Sequence, residues 1–366
     1  MIVMGSFQTG GAERLALELV RRWSADGIES VVVTMRGGGE LAGEFARCAR
    51  SVYDGLIPGR FDVRGPWRFA RLMRRHRTDA LIIVDPLRNG LFHAIVGSVL
   101  TGGGMVRLCW CHSSPAGQAG RFVGRLCGYL RLGLLDAVIC VSRAQRGELQ
   151  RAGVPRRRLV LVRNGLDVES SGNEKPPADL TIPPGKRRIV TVANAMPDKD
   201  YKTLFEAFGM LAKRRNDVHL VCVGRGTDQP GIGKMAELAP TGTVSLLGPQ
   251  KDVRCILESA AVFVLASRSE TFGLAVGEAM SAGVPVVVSD LPALSELVGE
   301  GMGLRVRPGD PAGLAEVIER LLNEPALASV FSHAARRQAE KFTVDKMGKN
   351  LARLIQFFQI RKFVGR

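Results

Sequence analysis

Two glutamates near the end of the chain, Glu270 and Glu278, stand eight positions apart. The stretch that holds them reads ASRSETFGLAVGEAMSAGVPVVVSD, and its pattern predicts a loop and then a helix between two apolar strands. A rise of ~1.5 Å per residue separates the two carboxylates by roughly 10 Å along the helix axis. The backbone N–H groups of Phe272, Gly273 and Leu274 fall between them at the helix start, where anions bind well. The spacing therefore predicts a diphosphate site with a hydrogen-bond acceptor at either end.

A solvated pair of glutamates is the alternative interpretation. Glu278 stands among Ala, Val, Gly and Met residues, where an unpaired carboxylate is costly. This setting favours a binding role over a merely structural one.

Lys199 is the candidate cation for such a site, because it directly precedes a second predicted helix that follows an apolar strand. A cation beside helix N–H groups suits a diphosphate. Asp198 and Asp200 flank the lysine in a D-x-D pattern, which could hold a metal ion. The intervening lysine opposes a cation, however, and Asp200 suits the N-cap of the helix. We therefore expect a site without metal and keep metal binding as the alternative.

Two further features follow predicted strands in the first half of the chain. Gly10 and Gly11 leave a backbone open to a phosphate at the start of the first helix, although an ordinary tight turn is the alternative. His112 follows a strand and precedes a Ser-Ser-Pro loop, so it is either a site residue or a structural histidine. We interpret the nearby Cys109 and Cys111 as buried thiols in a reducing compartment rather than as zinc ligands.

Alternation of strand and helix along the chain predicts how these residues are positioned. Apolar runs read as strands at 1–4, 29–35, 51–54, 80–84, 105–111, 137–142, 158–162, 188–194, 218–224, 243–248, 261–267, 284–290 and 303–308. Strands that are apolar throughout indicate parallel sheets covered on both faces. The sequence thus predicts an α/β fold of two doubly wound, Rossmann-like domains facing across a cleft, with the ligand in that cleft at the strands' carboxyl ends.

The predicted domain limits follow from a break in this pattern. Residues 171–187 are rich in proline and read as a linker. We expect an N-terminal Rossmann-like domain over 1–170 and a C-terminal Rossmann-like domain over 188–345. A terminal helix over 346–366 is expected to cross back to the N-terminal domain.

The net charge of +16 indicates anionic partners, which include phosphorylated ligands, an anionic membrane and nucleic acid. The weakly polar run at 90–106 is too short to span a bilayer. Arg121, Arg125 and Arg131 alternate with apolar residues, which predicts either a helix on a membrane surface or a buried helix with a solvated edge. We expect a cytoplasmic protein, either free or peripheral on the inner face of the cell membrane.

Taken together, these motifs resemble a known family. The segment SETFGLAVGEAMSAGVPVVVSD resembles the E-x7-E signature of retaining glycosyltransferases of family 4, glycosyl transferases group 1, which have the GT-B fold. TGGAER, VSRAQRGEL, VRNGLD, PDKDYKTLFEAF and LLGPQKDVRCILESAAVFVLAS match the family in the same order along nearly the whole chain.

The resemblance implies that the N-terminal domain over 1–170 binds the acceptor and that the C-terminal domain over 188–345 binds the nucleotide-sugar donor. It implies a UDP- or GDP-sugar as donor and no cofactor or metal. Glu278 would hold the ribose hydroxyls and Glu270 the transferred hexose, while Lys199 and the backbone of 272–274 would hold the diphosphate. Gly10 and Gly11 would form the opposite wall, and His112 would lie near the sugar.

It also implies a glycan or lipid-linked acceptor, in the biosynthesis of surface polysaccharide or glycolipid. An epimerase of the same fold acting on sugar nucleotides remains an alternative. A basic nucleic-acid-binding protein is a more distant one, because the chain lacks a compact basic motif.

One position departs from the family pattern. Many members carry arginine five residues before the lysine, where this chain has Asn194. Asn194 donates hydrogen bonds but brings no charge, so donor binding leans on Lys199 and on a further base, Arg225 or Lys202.

Overall fold

The structure is a computed structural model, and it describes residues 1–57, 59, 62–85, 90–102, 104–114, 119–166 and 185–364. The chain divides into two compact units. Unit 1 comprises Met1–Gly165 and Val344–Arg366, and unit 2 comprises Leu166–Thr343. Most of the predicted linker lies outside the described residues, although the last residue of the predicted range, Arg187, already belongs to a strand.

Unit 1 is built on a parallel sheet of seven strands in the order β3-β2-β1-β4-β5-β6-β7. The strands are β1 Ile2–Met4, β2 Val31–Thr34, β3 Ser51–Tyr53, β4 Ala80–Val84, β5 Val106–Cys111, β6 Ala137–Cys140 and β7 Leu159–Leu161. The helices between them are α1 Gly11–Ala25, α2 Ala42–Cys48, α3 Gly65–Arg75, α4 Gly90–Leu100, α5 Ala119–Arg131 and α6 Arg143–Arg151. The central strands are buried over most of their length because helices cover the sheet, as their continuous apolar sequences predict.

Unit 2 repeats this design with six parallel strands in the order β10-β9-β8-β11-β12-β13. The strands are β8 Arg187–Val192, β9 Val218–Val223, β10 Val244–Leu246, β11 Val262–Leu265, β12 Val286–Ser289 and β13 Leu304–Val306. The helices are α7 Tyr201–Arg214, α8 Pro230–Ala236, α9 Arg254–Glu258, α10 Leu274–Ser281, α11 Pro292–Leu297, α12 Pro311–Asn323 and α13 Pro325–Ala339. The strand order reverses between β8 and β11, which is the ligand-binding switch point of doubly wound sheets. The prediction of two Rossmann-like α/β domains is confirmed.

The last helix, α14 Val344–Val364, packs on unit 1. The indole Nε1 of Trp23 on α1 donates to the carbonyl of Gly348 at 3.1 Å. At the other end of α14, Lys362 pairs with Asp136 at 2.6 Å. Helix α14 thus contacts α1 near one end and the residue preceding β6 near the other. Among the described residues, none of the helices combines the length and apolar character that crossing a bilayer requires.

Helix α5 differs from the expected membrane-surface helix. Its apolar residues Phe122, Leu126 and Leu130 are buried in the core of unit 1. Arg125 and Arg131 lie on its exposed side, and the side chain of Arg121 lies outside the described part of the chain. The helix is therefore the alternative that the sequence allowed, a buried helix with a solvated edge.

Candidate functional site

The loops after β8 and β11 are joined at the point where the strand order of unit 2 reverses. The backbone N–H of Arg268 donates to the carbonyl oxygen of Asp198 at 2.7 Å. The guanidinium Nε of Arg268 pairs with Oδ2 of Asp200 at 2.8 Å. Because ligands of doubly wound sheets bind at this position, the two loops form the candidate site of unit 2.

Lys199 and Glu270 form an ion pair in these loops. Nζ of Lys199 lies 2.7 Å from Oε1 of Glu270, and the two side chains are only 20% and 11% exposed. Ser267 donates its hydroxyl to the same oxygen at 2.9 Å, and Asp198 lies 3.3 Å from Nζ. Burial works against the lysine's charge, but the carboxylates of Glu270 and Asp198 outweigh it and raise the pKa of Lys199. Lys199 is therefore a fixed cation at neutral pH.

Helix α10 begins beside this ion pair with Gly273 as its N-cap. Gly273 has φ +89°, a conformation that favours glycine, and a Cβ atom there would lie 2.5 Å from Cδ2 of the buried Leu294, which would have to shift. Within the described chain, no side chain caps the helix start. Its first N–H groups, including that of Leu274, can therefore donate hydrogen bonds to an anion. Phe272 is buried against Phe342, which leaves only its backbone for a ligand.

Glu278 lies in the second turn of α10, and its side chain is partly buried. The neighbouring Gly277 is tightly packed, because a Cβ atom there would lie 2.6 Å from Leu166. The carboxylate is thus carried by a rigid helix, whereas Glu270 is carried by a loop.

Asn194 has a structural contact that the sequence did not predict. Its Oδ1 accepts the backbone N–H of Arg225 at 3.0 Å, and the carbonyl of Arg225 accepts the N–H of Ala195 at 2.8 Å. Asn194 thereby joins the loop after β8 to the loop after β9. The Arg225 side chain is exposed in this loop, whereas Lys202 lies on the surface of α7 and faces Glu206 at 3.8 Å. Of the two substitute bases, Arg225 is connected to the site loops.

Asp200 serves as the N-cap of α7. It has φ +45°, accepts the Thr203 hydroxyl at 2.7 Å and binds Arg268. Asp198 contacts Lys199 instead. Both carboxylates of the D-x-D pattern thus have cationic neighbours, which makes them poor metal ligands. Within the described residues, no cluster of three or more His, Cys, Asp or Glu side chains could hold a metal ion.

In unit 1, Gly10 is the N-cap of α1 and Gly11 its first residue. A Cβ atom on Gly10 would lie 2.4 Å from Oε2 of Glu13, so this carboxylate folds over the helix start. An acidic side chain in the first turn favours the helix dipole. An incoming phosphate would have to displace Glu13, a contact that the two glycines alone did not predict although Glu13 follows Gly10 by three positions.

His112 follows β5 in a loop that two side chains hold in place. Asp85 accepts the N–H groups of His112 and Ser113 at 2.7 and 3.0 Å. The buried Gln145 of α6 donates to the carbonyls of Cys111 and Ser113 at 3.0 and 3.1 Å. Burial lowers the pKa of His112, against the opposing effect of Asp85. The neutral imidazole is therefore favoured. Pro115 of the predicted loop lies outside the described residues.

The roles of Asp85 and Gln145 were not predicted from the sequence, because both side chains bind backbone groups of the His112 loop, which leave no pattern in the sequence. Only the spacing of Gln145 within the VSRAQRGEL motif gave a signal. Cys109 and Cys111 are fully buried, and burial raises the pKa of both thiols, which suits structural residues rather than zinc ligands.

Comparison with known proteins identifies the family of the chain. Residues 9–170 match the family described as Glycosyltransferase Family 4, and residues 173–338 match Glycosyl transferases group 1. The chain is 25% identical to the lipopolysaccharide core biosynthesis glycosyltransferase LpsE of Rhizobium meliloti, over 87% of each chain. It is 30% identical to the alpha-maltose-1-phosphate synthase of Mycobacterium tuberculosis, over 56% of this chain and 58% of that one.

A solved structure extends the likeness to the fold. The Anabaena protein Alr3699/HepE, crystallised with UDP and glucose, superposes with a TM-score of 0.80 at 18% identity, covering 97% of this chain and 99% of that one. The fold and the two family matches define the class: this chain is a glycosyltransferase of the GT-B type.

Proposed function

We propose that this chain is a retaining, metal-independent glycosyltransferase that moves a hexose-type sugar from a UDP- or GDP-sugar to a glycan or lipid-linked acceptor. The observation that carries the proposal is the Lys199–Glu270 ion pair beside the start of α10 at the switch point. Lys199 and the N–H groups of Phe272 to Leu274 hold the diphosphate in this proposal. They also offset the negative charge that develops as the nucleotide diphosphate leaves.

The two glutamates take separate roles. Within the described part of the chain, Lys199 and Ser267 both donate to Oε1 of Glu270, and Oε2 is the oxygen that we assign to a hydroxyl of the transferred sugar. Glu278, on the packed helix, accepts from the ribose hydroxyls. This division assigns Glu270 to the reacting sugar and Glu278 to anchoring the nucleotide.

Retention then follows from displacement on one face of the sugar. The bond between the anomeric carbon and the diphosphate oxygen breaks, the acceptor oxygen bonds to the same face, and the leaving phosphate takes the acceptor's proton. A double displacement would need a free carboxylate nucleophile with its partner ~5 Å away. Glu270 is engaged by Lys199 and Ser267, which disfavours that route.

Several observations support the remaining parts of the proposal. Asp198 and Asp200 are engaged with cations of the chain, which favours transfer without a metal. The Anabaena structure holds UDP and glucose, and the Rhizobium relative is named for lipopolysaccharide core biosynthesis. These names favour a UDP-sugar donor and a surface polysaccharide or glycolipid product. The cytoplasmic face of a membrane, as the place of synthesis, is part of the proposal and rests on the basic composition of the chain. The roles proposed for Gly10, Gly11 and His112, contacts with the diphosphate and the sugar, rest on the family resemblance.

A donor screen followed by variants tests the proposal. Thermal shift against UDP- and GDP-sugars identifies the donor, and NMR of the product's anomeric proton reads the stereochemistry. We expect Glu270→Gln to reduce turnover by roughly a hundredfold or more. Glu278→Ala should weaken donor binding by about tenfold or more, because hydrogen bonds to a charged acceptor are lost. Glu237→Gln, an exposed control, should change neither value.

Inverted product would contradict the retaining mechanism. Wild-type kinetics in both variants would contradict the site assignment. Conversion of the donor to an epimer without acceptor would identify the epimerase instead.

A further inference from the structure

Helix α4 has an outer side without charge. The eleven residues Gly90–Leu100 include no Asp, Glu, Lys or Arg. Phe92 and Val99 are nevertheless 48% and 44% exposed, and Val96 between them is partly exposed. Positions i, i+4 and i+7 form one stripe along a helix. A helix that is apolar on its solvent side as well as on its core side indicates an interaction surface.

Helix α3 packs so closely on α4 that their outer sides form one surface. A Cβ atom on Gly97 of α4 would lie 2.5 Å from Cβ of Phe69 on α3. Farther along, the Arg74 guanidinium binds the carbonyl of Leu100 at the end of α4. We call this surface the α3/α4 face, formed by Val63, Trp67, Arg71 and Arg75 from α3 and its start, with Phe92 and Val99 from α4.

The α3 half of this face is strongly basic. Helix α3 and its N-cap carry five arginines and no acid: Arg64, Arg68, Arg71, Arg74 and Arg75. Asp62, just before the helix, pairs with Arg68 at 2.6 Å. Among the described residues, no acidic side chain pairs with Arg71 or Arg75. Trp67 is 63% exposed and Val63 83% exposed beside them. The face thus combines large apolar side chains with uncompensated positive charge.

We propose that the α3/α4 face docks on an anionic lipid bilayer. The apolar stripe of α4 and Trp67 would enter the boundary between headgroups and acyl chains, and the arginines would bind lipid phosphates. A second copy of the chain fits less well, because a symmetric interface would set the same arginines against each other.

The direction of the helices agrees with such a docking face. Both α3 and α4 follow parallel strands and therefore start near the carboxyl edge of the sheet in unit 1. Trp67 and Phe92 lie in their first turns, on the same side of the unit as the loop after β5 that carries His112. The α3/α4 face is the surface through which the membrane association in the proposed function would occur, and its docking does not depend on the donor site.

Vesicle binding by the full chain tests the inference. We expect sedimentation with vesicles that contain phosphatidylglycerol, weakened by salt, and little with phosphatidylcholine alone. Arg71→Gln should weaken binding about fivefold, and so should Arg75→Gln, since each arginine near such a surface contributes about that factor. Trp67→Ser should weaken it roughly tenfold through lost apolar burial. The matched controls Arg336→Gln and Val330→Ser, both at exposed sites of unit 2, should bind as the wild type does.

Tryptophan fluorescence gives an independent readout. Of the three tryptophans, Trp23 and Trp110 are buried and Trp67 is exposed. Brominated lipids should quench the wild type, and Trp67→Phe should lose the quenched signal while retaining binding.

Three results would overturn the inference: no binding to anionic vesicles at low salt, equal binding by the variants, or a dimer that the same variants dissociate. Donor and acceptor are absent from these measurements, so a negative result would leave the sugar-transfer proposal standing.

Discussion

Measuring the coupling free energy between Lys199 and Glu270 is the most direct test of the site geometry. The pair is 2.7 Å apart and mostly buried. Coulomb attraction at an effective dielectric constant of about 20 gives a gross energy of roughly 6 kcal/mol. Desolvation, and the competing contacts with Ser267 and Asp198, offset much of it. We expect a net coupling of about 2 kcal/mol.

The expected changes in unfolding free energy follow from this value. Lys199→Met and Glu270→Gln should each cost about 2–3 kcal/mol, because each leaves the partner without its ion pair. The double change should cost about 3 kcal/mol rather than the sum. The control pair is Lys202 and Glu206 on α7, at 3.8 Å with Lys202 69% exposed. Its coupling should not exceed about 0.5 kcal/mol.

Urea denaturation of the full-length wild type, the two single variants and the double variant measures this coupling. All three tryptophans, Trp23, Trp67 and Trp110, lie in unit 1, so their fluorescence identifies the unfolding of that unit. Far-UV circular dichroism reports both units, and the transition without a fluorescence change belongs to unit 2. Additive costs for Lys199→Met and Glu270→Gln, within about 0.5 kcal/mol, would refute the ion pair as a stabilising contact.

Two further predictions concern the same site. Gly273→Ala should cost about 2–4 kcal/mol in unfolding free energy and weaken nucleotide-sugar binding, because it combines a positive φ with contact against Leu294. Gly283→Ala, at the other end of α10 with φ +75° and open space, should cost only about 1–2 kcal/mol and spare binding; equal effects in calorimetry would contradict the packing argument. The raised pKa of Lys199 means that its stabilisation is complete below the unfolded value of 10.5 and is lost as pH rises through the folded value. The stability difference between wild type and Lys199→Met should therefore stay constant from neutral pH to about pH 10.5 and shrink above it, and a difference that is already lost at about pH 9 would contradict the raised pKa.

The alternation of strands and helices could be predicted because the strands of a covered parallel sheet are continuous apolar runs. Runs such as ALIIV at 80–84 are apolar on both faces, and the glycines and helix patterns between the runs fix the alternation. The placement of Glu270 in a loop and Glu278 on the following helix came from the same pattern. So did the N-cap role of Asp200, which the structure bears out.

The contacts inside the site could not be predicted in this way. Arg268 binds Asp200 because strands β8 and β11 are neighbours, and neighbourhood in a sheet is a property of topology rather than of local sequence. Glu13 reaches back over Gly10 through a side-chain rotamer that no spacing rule contains. The Asn194 contact with Arg225 likewise joins two loops that are separate in sequence.

For helices α4 and α5, the sequence did not show which side chains are buried in the protein and which are exposed. Helix α5 has the alternating arginines of a membrane-surface helix, yet its apolar side chains are core residues. Helix α4 lies in the run at 90–106 that is too short to span a bilayer and has no Asp, Glu, Lys or Arg, yet its Phe92 and Val99 are exposed. Amphipathic pattern alone does not distinguish a partner outside the molecule from one inside it, since both bury the same side chains.

The placement of α14 sets an order on biosynthesis. Unit 2 is one continuous stretch, Leu166–Thr343, whereas unit 1 needs residues from Val344 onward to cover Trp23 on α1. When the chain has emerged from the ribosome up to Thr343, every residue of unit 2 is available, whereas unit 1 still lacks α14. The later half of the sequence can thus reach its native state first, while Trp23 in the earlier half still lacks its contact with α14. Protease resistance of nascent chains would record this order, and simultaneous protection of both units before α14 emerges would exclude it.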